Sequence, residues 1–290
     1  MALDPEGPWV NEWSVESLAA VTNRTDAKPF VKWVGGKRQL LAAIGEYAPR
    51  NGTAGTYHEP FVGGGAVFFH LKPKRAVLTD SNERLIRTYR GIKNDVEGVI
   101  KLLKSYPHEK RFYLEMRAQD IDVETDTEVA AWFIYLNRTG YNGLYRVNSR
   151  NIFNVPFGDY KKPTICDPET LRACARALRG AKLEVRDFSR VLERAKAGDF
   201  VYFDPPYIPL TATSSFTDYT SEGFSDKEQV RLRDVALELK KRGVRVLLSN
   251  SSAERVYDLY SRFKCIEVDA RRSVNCKPNG RGRIAELLIY

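Results

Sequence analysis

A carboxylate, two prolines and an aromatic ring stand together at Asp204-Pro205-Pro206-Tyr207, where the apolar run DFVYFDPPY ends. That set suits chemistry on a planar amine. The exocyclic N6 of an adenine is a poor nucleophile because its lone pair is delocalised into the ring. Drawing both N–H hydrogens onto fixed acceptors turns the lone pair outward. Asp204 and the Pro205 carbonyl offer two acceptors, the prolines fix φ and stiffen the turn, and Tyr207 offers a face for the base. Rigid acceptors are effective where positive charge develops on the nitrogen. The same residues also suit an ordinary strand-ending turn, so a second signal is needed.

Two glycine blocks precede that turn. The first is Pro29-Phe30-Val31-Lys32-Trp33-Val34-Gly35-Gly36-Lys37, and the second is Glu59-Pro60-Phe61-Val62-Gly63-Gly64-Gly65-Ala66-Val67-Phe68-Phe69. Glycines directly after the strand-like TYHEPFV let the backbone turn sharply and approach a ligand closely, at the strand's carboxyl end, where open α/β sheets bind ligands. The run lacks the last glycine of G-x-G-x-x-G, so a nicotinamide site is poorly supported, and a bare glycine loop is an alternative. The following strand, RAVLTD, ends in Asp80, which is placed to take ribose hydroxyls. Gly35-Gly36-Lys37-Arg38 is no ATP loop, because Val31 stands at the first glycine position and Arg38 where Ser or Thr is required.

In order and in detail, these blocks and DPPY resemble the Dam-type family of S-adenosylmethionine-dependent DNA adenine-N6 methyltransferases, from Pro29 to Tyr290. The resemblance implies a mainly parallel, seven-stranded, Rossmann-like methyltransferase sheet with an inserted helical target-recognition domain bearing a β-hairpin. It implies Asp204, Pro205 and Tyr207 as catalytic positions. It implies an S-adenosyl-L-methionine site of Trp33, Gly35, Gly36, Lys37, Glu59, Phe61, Gly63, Gly65, Asp80, Asp187, Phe188 and Asp204. The expected reaction is direct methyl transfer to N6 in GATC after the adenine leaves the stack. A DNA-binding protein with a degenerate methyltransferase domain and an RNA adenine methyltransferase are the alternatives.

The elements that must hold these residues are legible as alternating βα units. Lys37 to Tyr47 reads as a helix, and TYHEPFV, RAVLTD, LEVRDF, DFVYFD, VRVLLSN, FKCIEV and AELLIY read as strands. Asn94 to Leu103 and Asp126 to Leu136 read as helices. Asp167-Pro168 reads as an N-cap with proline at N1, and Ser225 with Glu228 and Ser251 with Glu254 as capping boxes. The expected organisation is an N-terminal extension over 1–27, a catalytic domain from 28–88 and 164–290, and a target-recognition insertion over 89–163.

The interval Asn137 to Pro163 interleaves basic and aromatic residues, with GLYRV and IFNVPF flanking the turn Asn148 to Asn151. A β-hairpin there can enter a major groove. By resemblance, Arg146 reads a guanine edge, Leu144 and Pro156 meet a thymine methyl, Tyr141 and Asn142 enter the stack, and Lys32 also faces DNA. Arg271 and Arg272 are expected on phosphates, and Ile208 to Phe224 is placed to close over an extruded base. The formal charge of +9 on 290 residues favours an anionic partner, here double-stranded DNA. Four cysteines and three histidines show no metal-ligand spacing, and no run is long and apolar enough for a membrane span. The expectation is a cytoplasmic monomer without metal.

Overall fold

The computed structural model describes residues 25–37, 39–49, 55–210, 224–271 and 283–290. Residues 1–24, most of the loop after the proline turn, and Arg272 with most of the basic turn that follows it lie outside the described residues. Seven strands form one sheet in the order β3-β2-β1-β4-β5-β7-β6. They are β1 Tyr57–Glu59, β2 Ala76–Asp80, β3 Ala181–Val185, β4 Phe200–Phe203, β5 Arg245–Ser251, β6 Cys265–Arg271 and β7 Arg283–Ile289. The pairs from β3 through β5 are parallel, and β7 runs antiparallel to both of its neighbours.

Strand periodicity explains why the central strands are apolar throughout. Successive side chains point to opposite faces, and both faces are covered. Tyr57, Phe200, Tyr202, Leu247 and Leu288 enter one buried cluster with Phe30, Leu85, Tyr89, Leu136 and Leu171. Val201, Phe203, Val246, Leu248, Leu287 and Ile289 enter the other, with Leu232, Val235, Leu239 and Val256. Continuous apolar runs are the signature of strands buried on both sides.

Among the described residues the helices are α1 Leu41–Tyr47, α2 Ala66–Leu71, α3 Glu83–Asn94, α4 Val96–Ser105, α5 Lys110–Ala118, α6 Asp126–Thr139, α7 Pro168–Leu178, α8 Asp226–Lys241 and α9 Glu254–Leu259. Helix α6 starts at a capping box in which Thr125 and Glu128 satisfy one another's backbone. Its buried face packs on α3 and α4, and α3 also packs on α7 and β3. The cluster under the sheet therefore continues without a break into the helices of residues 89–163.

Several elements differ from the sequence reading. The helix expected from Asn94 begins at Val96, and a separate helix, α3, precedes it from Glu83; Asp95 (φ −147°) divides the two, and its carboxylate caps α4 through Gly98 N. Helix α1 begins at Leu41 rather than Lys37. Ser251 is the last residue of β5, not a cap: α9 starts after Ala253, and the Ser251 hydroxyl serves Ile208 O instead. Between Gly140 and Phe157 the chain forms a hairpin-like excursion with isolated antiparallel bridges at Gly140–Phe157 and Val147–Phe153, not a full ladder.

Candidate active site

Strand order reverses between β1 and β4: from β1 the chain runs outward to β2 and β3, then returns to β4 and continues to β5. Carboxyl ends at such a reversal form a crevice where open α/β sheets bind ligands. The second glycine block leaves β1 there, and Asp204 follows β4 directly.

The glycine turn is tightly built. Gly63 has φ +45°, and a Cβ there would lie 2.6 Å from Trp33 Cδ1. Its N–H donates to Asp80 Oδ2 at 3.1 Å, and its carbonyl accepts from the Tyr89 hydroxyl at 3.0 Å. Asp80 Oδ1 accepts from Asn82 N at 3.0 Å. Burial raises the Asp80 carboxyl above its usual range, opposed by these backbone N–H groups. Asp80 thus holds the turn while standing at its mouth.

Around Asp204 the contacts are one-sided. Its Oδ1 accepts from Lys37 Nζ at 2.8 Å and from Ser249 Oγ at 2.9 Å. No donor among the described residues reaches Oδ2. Because the carboxylate can only accept, Ser249 donates to it, and Tyr202, 3.0 Å from Ser249 Oγ, donates to Ser249 in turn. Burial pushes the Asp204 carboxyl up, opposed first by the Lys37 charge. Lys37 is itself buried, donates to Gly35 O at 2.7 Å, and lies 4.6 Å from the Tyr207 ring centroid.

The proline turn is pinned from three elements. Gln229 of α8 donates to Pro206 O at 2.8 Å, Asn250 of β5 accepts Ile208 N at 3.0 Å, and the Tyr207 hydroxyl donates to Glu286 Oε2 of β7 at 2.7 Å. Among the described residues no donor reaches the Pro205 carbonyl. Glu59 lies beneath, fully buried, and accepts from Tyr57 at 2.8 Å; burial, reinforced by Asp204, raises its carboxyl to about 8.

The other expected residues divide into groups. Phe61 and Phe188 stack on one another at 5.4 Å, with Phe203 and Phe224 edge-on to Phe61. Asp187 caps the short 3-10 turn that carries Phe188 and pairs with Arg231. In the hairpin segment Arg146 is exposed and donates to Asn154 Oδ1 at 2.8 Å; Tyr141, Asn142 and Pro156 are exposed and Leu144 is half-buried. Lys32 Nζ donates to the Tyr160 hydroxyl at 3.1 Å. Arg271 ends β6 opposite Arg283.

Several residues of this arrangement were not singled out from sequence. Ser249, Asn250, Gln229 and Glu286 fasten the proline turn, and Asn137 bonds both Lys32 and Gly143. For Ser249 and Asn250 the available signal was a polar Ser-Asn-Ser ending an otherwise apolar strand. Trp33 stacks near Phe133 (6.3 Å) and Tyr145 (6.1 Å), so the first glycine block and the hairpin share one aromatic pile.

Among the described residues no group of His, Cys, Asp or Glu is placed to hold a metal ion, and no helix is long and apolar enough to cross a membrane. A family profile of D12 class N6 adenine-specific DNA methyltransferases matches residues 33–274. The chain is similar to the type II methyltransferase M1.LlaDCHI of Lactococcus lactis subsp. cremoris, 45% identical over 92% of this chain and 96% of the relative. It is similar to the type II methyltransferase M.MjaIII of Methanocaldococcus jannaschii, at 43% over 91% and 99%. It is also similar to the DNA adenine methylase of Escherichia coli K12, at 35% over 90% and 94%.

Proposed function

The chain belongs to the D12 class of N6 adenine-specific DNA methyltransferases, and on that premise we propose that Asp204, the Pro205 carbonyl and Tyr207 activate an adenine extruded from double-stranded GATC. The observation that carries this reading is the division of labour on Asp204: Oδ1 is engaged by Lys37 and Ser249, while among the described residues no donor reaches Oδ2 or the Pro205 carbonyl.

The crevice fits S-adenosylmethionine on its own features. A glycine turn that a Cβ would obstruct gives backbone access, Asp80 stands ready for hydroxyls, and the carboxylates Asp80 and Asp204 outnumber Lys37 beside a cationic ligand. Trp33, Gly35, Gly36, Lys37, Gly63, Gly65 and Asp80 would hold the cofactor, with Glu59, Phe61, Asp187 and Phe188 shaping its surroundings. Bound there, S-adenosylmethionine supplies an electrophilic sulfonium methyl.

The protein residues act on the nucleophile. Asp204 Oδ2 and Pro205 O accept the two N6–H hydrogens, so the lone pair leaves conjugation and points away from the ring. As N6 forms its bond to the methyl it becomes positive, and both acceptors strengthen as that charge grows, which is stabilisation specific to the transition state. Lys37 opposes the burial that raises the Asp204 carboxyl and so favours its ionised form. Asp204 is in reach of the proton that the methylated amine then loses.

Residues 89–163 form the target-recognition part in this reading. Arg146 reads guanine, with Leu144 and Pro156 at thymine methyls and Tyr141 and Asn142 in the space the adenine leaves. Lys32 and Arg271, with Arg272, meet phosphates. A palindromic site presents the same face on each strand, so a monomer suffices, working in the cytoplasm where its DNA lies.

The test is methylation of duplex DNA with labelled S-adenosylmethionine, followed by base analysis. Wild type should yield N6-methyladenine in GATC. Asp204→Ala should yield none yet keep most of its DNA affinity, and near wild-type turnover by that variant would overturn the assignment.

A further inference from the structure

Glu286 is not part of the proline turn, of either glycine block, or of the hairpin. Its position follows from strand direction. In β4 and β5 the carboxyl ends reach the crevice; β7 runs the other way, so its beginning lies there. Register places Glu286 opposite Ser251 and Leu288 opposite Ser249. Residues two apart share a face, so Glu286 stands on the same sheet face as Ser249, which holds Asp204. The next residues, Leu287, Leu288 and Ile289, are completely buried, which fixes the strand and leaves Glu286 little freedom along it.

Its contact is specific. Tyr207 donates its hydroxyl to Glu286 Oε2 at 2.7 Å, the length of a charge-assisted O–H···O⁻ bond. Burial and the nearby Asp204 charge hold the Tyr207 phenol well above its ordinary range, so it stays protonated and can donate. A phenylalanine at 207 would offer the same aromatic face. The hydroxyl adds an anchor at the far end of the ring, which together with the Cβ position fixes the direction of the ring's long axis.

We propose that Glu286 is a positioning residue for methyl transfer, acting through Tyr207 by fixing the ring on which the target adenine stacks. The proposal rests on the reading of Tyr207 as the stacking residue. Asp204 and Pro205 set where N6 binds, and the ring sets the tilt of the base behind it. With Glu286 absent the ring loses its anchor on β7 and its long axis can tilt, the base still enters, and N6 is presented off line to the methyl donor. Glu286 thereby makes β7 part of the catalytic frame, although the sequence separates it from Tyr207 by most of the second half of the chain.

A double-mutant cycle tests this, using the full chain, duplex DNA containing GATC, and labelled S-adenosylmethionine. Glu286→Ala and Tyr207→Phe should each lower kcat by about 10- to 100-fold, the scale for a small misplacement of reacting groups. KM for DNA and for the cofactor should change little. The double variant should be no slower than the slower single variant, because both remove one interaction. Glu286→Gln keeps an acceptor oxygen and should stay within a few-fold of wild type. With 2-aminopurine at the target position, Glu286→Ala should still extrude the base but show weaker stacking quench than wild type. Multiplying losses in the double variant, or wild-type kcat in Glu286→Ala, would overturn the proposal. A rise confined to cofactor KM would also overturn it, assigning Glu286 to cofactor charge instead. Should Glu286→Ala fail to fold, the remaining variants decide: Gln must keep kcat and Tyr207→Phe must lower it. The underlying reading fails separately, if wild type does not methylate adenine in DNA or if Tyr207→Ala leaves kcat intact.

Discussion

Replacing Gly63 by alanine puts a methyl group 2.6 Å from Cδ1 and 2.7 Å from Nε1 of Trp33, on a backbone with φ +45°. The left-handed conformation costs an L-residue about 1–2 kcal/mol. Forcing a methyl into packed surroundings costs about 1–3 kcal/mol more. The lower freedom of the unfolded chain returns about 0.4–1 kcal/mol. The net destabilisation is about 1–5 kcal/mol, and at about 2–4 °C per kcal/mol for a chain of this size it is visible in thermal unfolding. Trp33 has no easy retreat, since its ring lies among Phe133 and Tyr145. If Trp33 holds the cofactor, its displacement should also weaken S-adenosylmethionine binding at least about tenfold, or 1.4 kcal/mol. Gly36→Ala is the control for stability: its Cβ meets only Trp33 O at 3.5 Å, and φ is not positive. The assay is calorimetric unfolding with cofactor titration of both variants. A Gly63→Ala protein with wild-type melting and wild-type affinity would refute the packing argument and the assignment of Trp33 together.

Other expected outcomes follow from the same geometry. Asp80→Ala should weaken S-adenosylmethionine binding by about 1.5–3 kcal/mol, the range for hydrogen bonds to a charged group, and unchanged calorimetric affinity would make Asp80 purely structural. Glu59, at about 8 when folded against a usual 4.5, keeps a proton that the unfolded chain releases. Its contribution to stability is therefore full in acid, declines as pH rises, and is gone above about 8. The stability of wild type relative to Glu59→Gln should fall across that window by up to about 5 kcal/mol, and a flat difference in urea unfolding between pH 5 and 8.5 would contradict the buried proton. Arg146→Ala should lose about 1–3 kcal/mol of discrimination at one base of GATC, measured by methylation of every single-base variant at fixed salt; an equal loss at all sites would remove Arg146 from base reading.

The sheet was legible because its strands are apolar runs closed by chemistry: Asp80, Asp204 and the glycines all sit at carboxyl ends, where sequence motif and sheet geometry coincide. What resisted reading was contact between distant segments. Glu286 looks like one polar residue in AELLIY, and only the reversed direction of β7 brings it to Tyr207. Tyr145 and Phe153 read as part of a basic, aromatic surface, yet Phe153 is buried and Tyr145 stacks on Phe133 at 4.7 Å, because the hairpin folds back on α6. The helix break at Asp95 was hidden because its residues suit both a helix interior and a cap.

If the hairpin reads DNA sequence as proposed, the aromatic pile of Trp33, Phe133 and Tyr145 bears on how new sequence preferences can arise in this scaffold. Along the hairpin, Tyr145 is bound into the pile while its neighbour Arg146 is exposed. Exchange at Arg146 leaves the interior untouched, whereas exchange at Tyr145 disturbs Trp33 and, through it, the glycine turn. Diversification is thus channelled to Arg146 rather than to Tyr145. A hairpin transplanted from a relative should work only if it brings an aromatic residue that completes the host's pile.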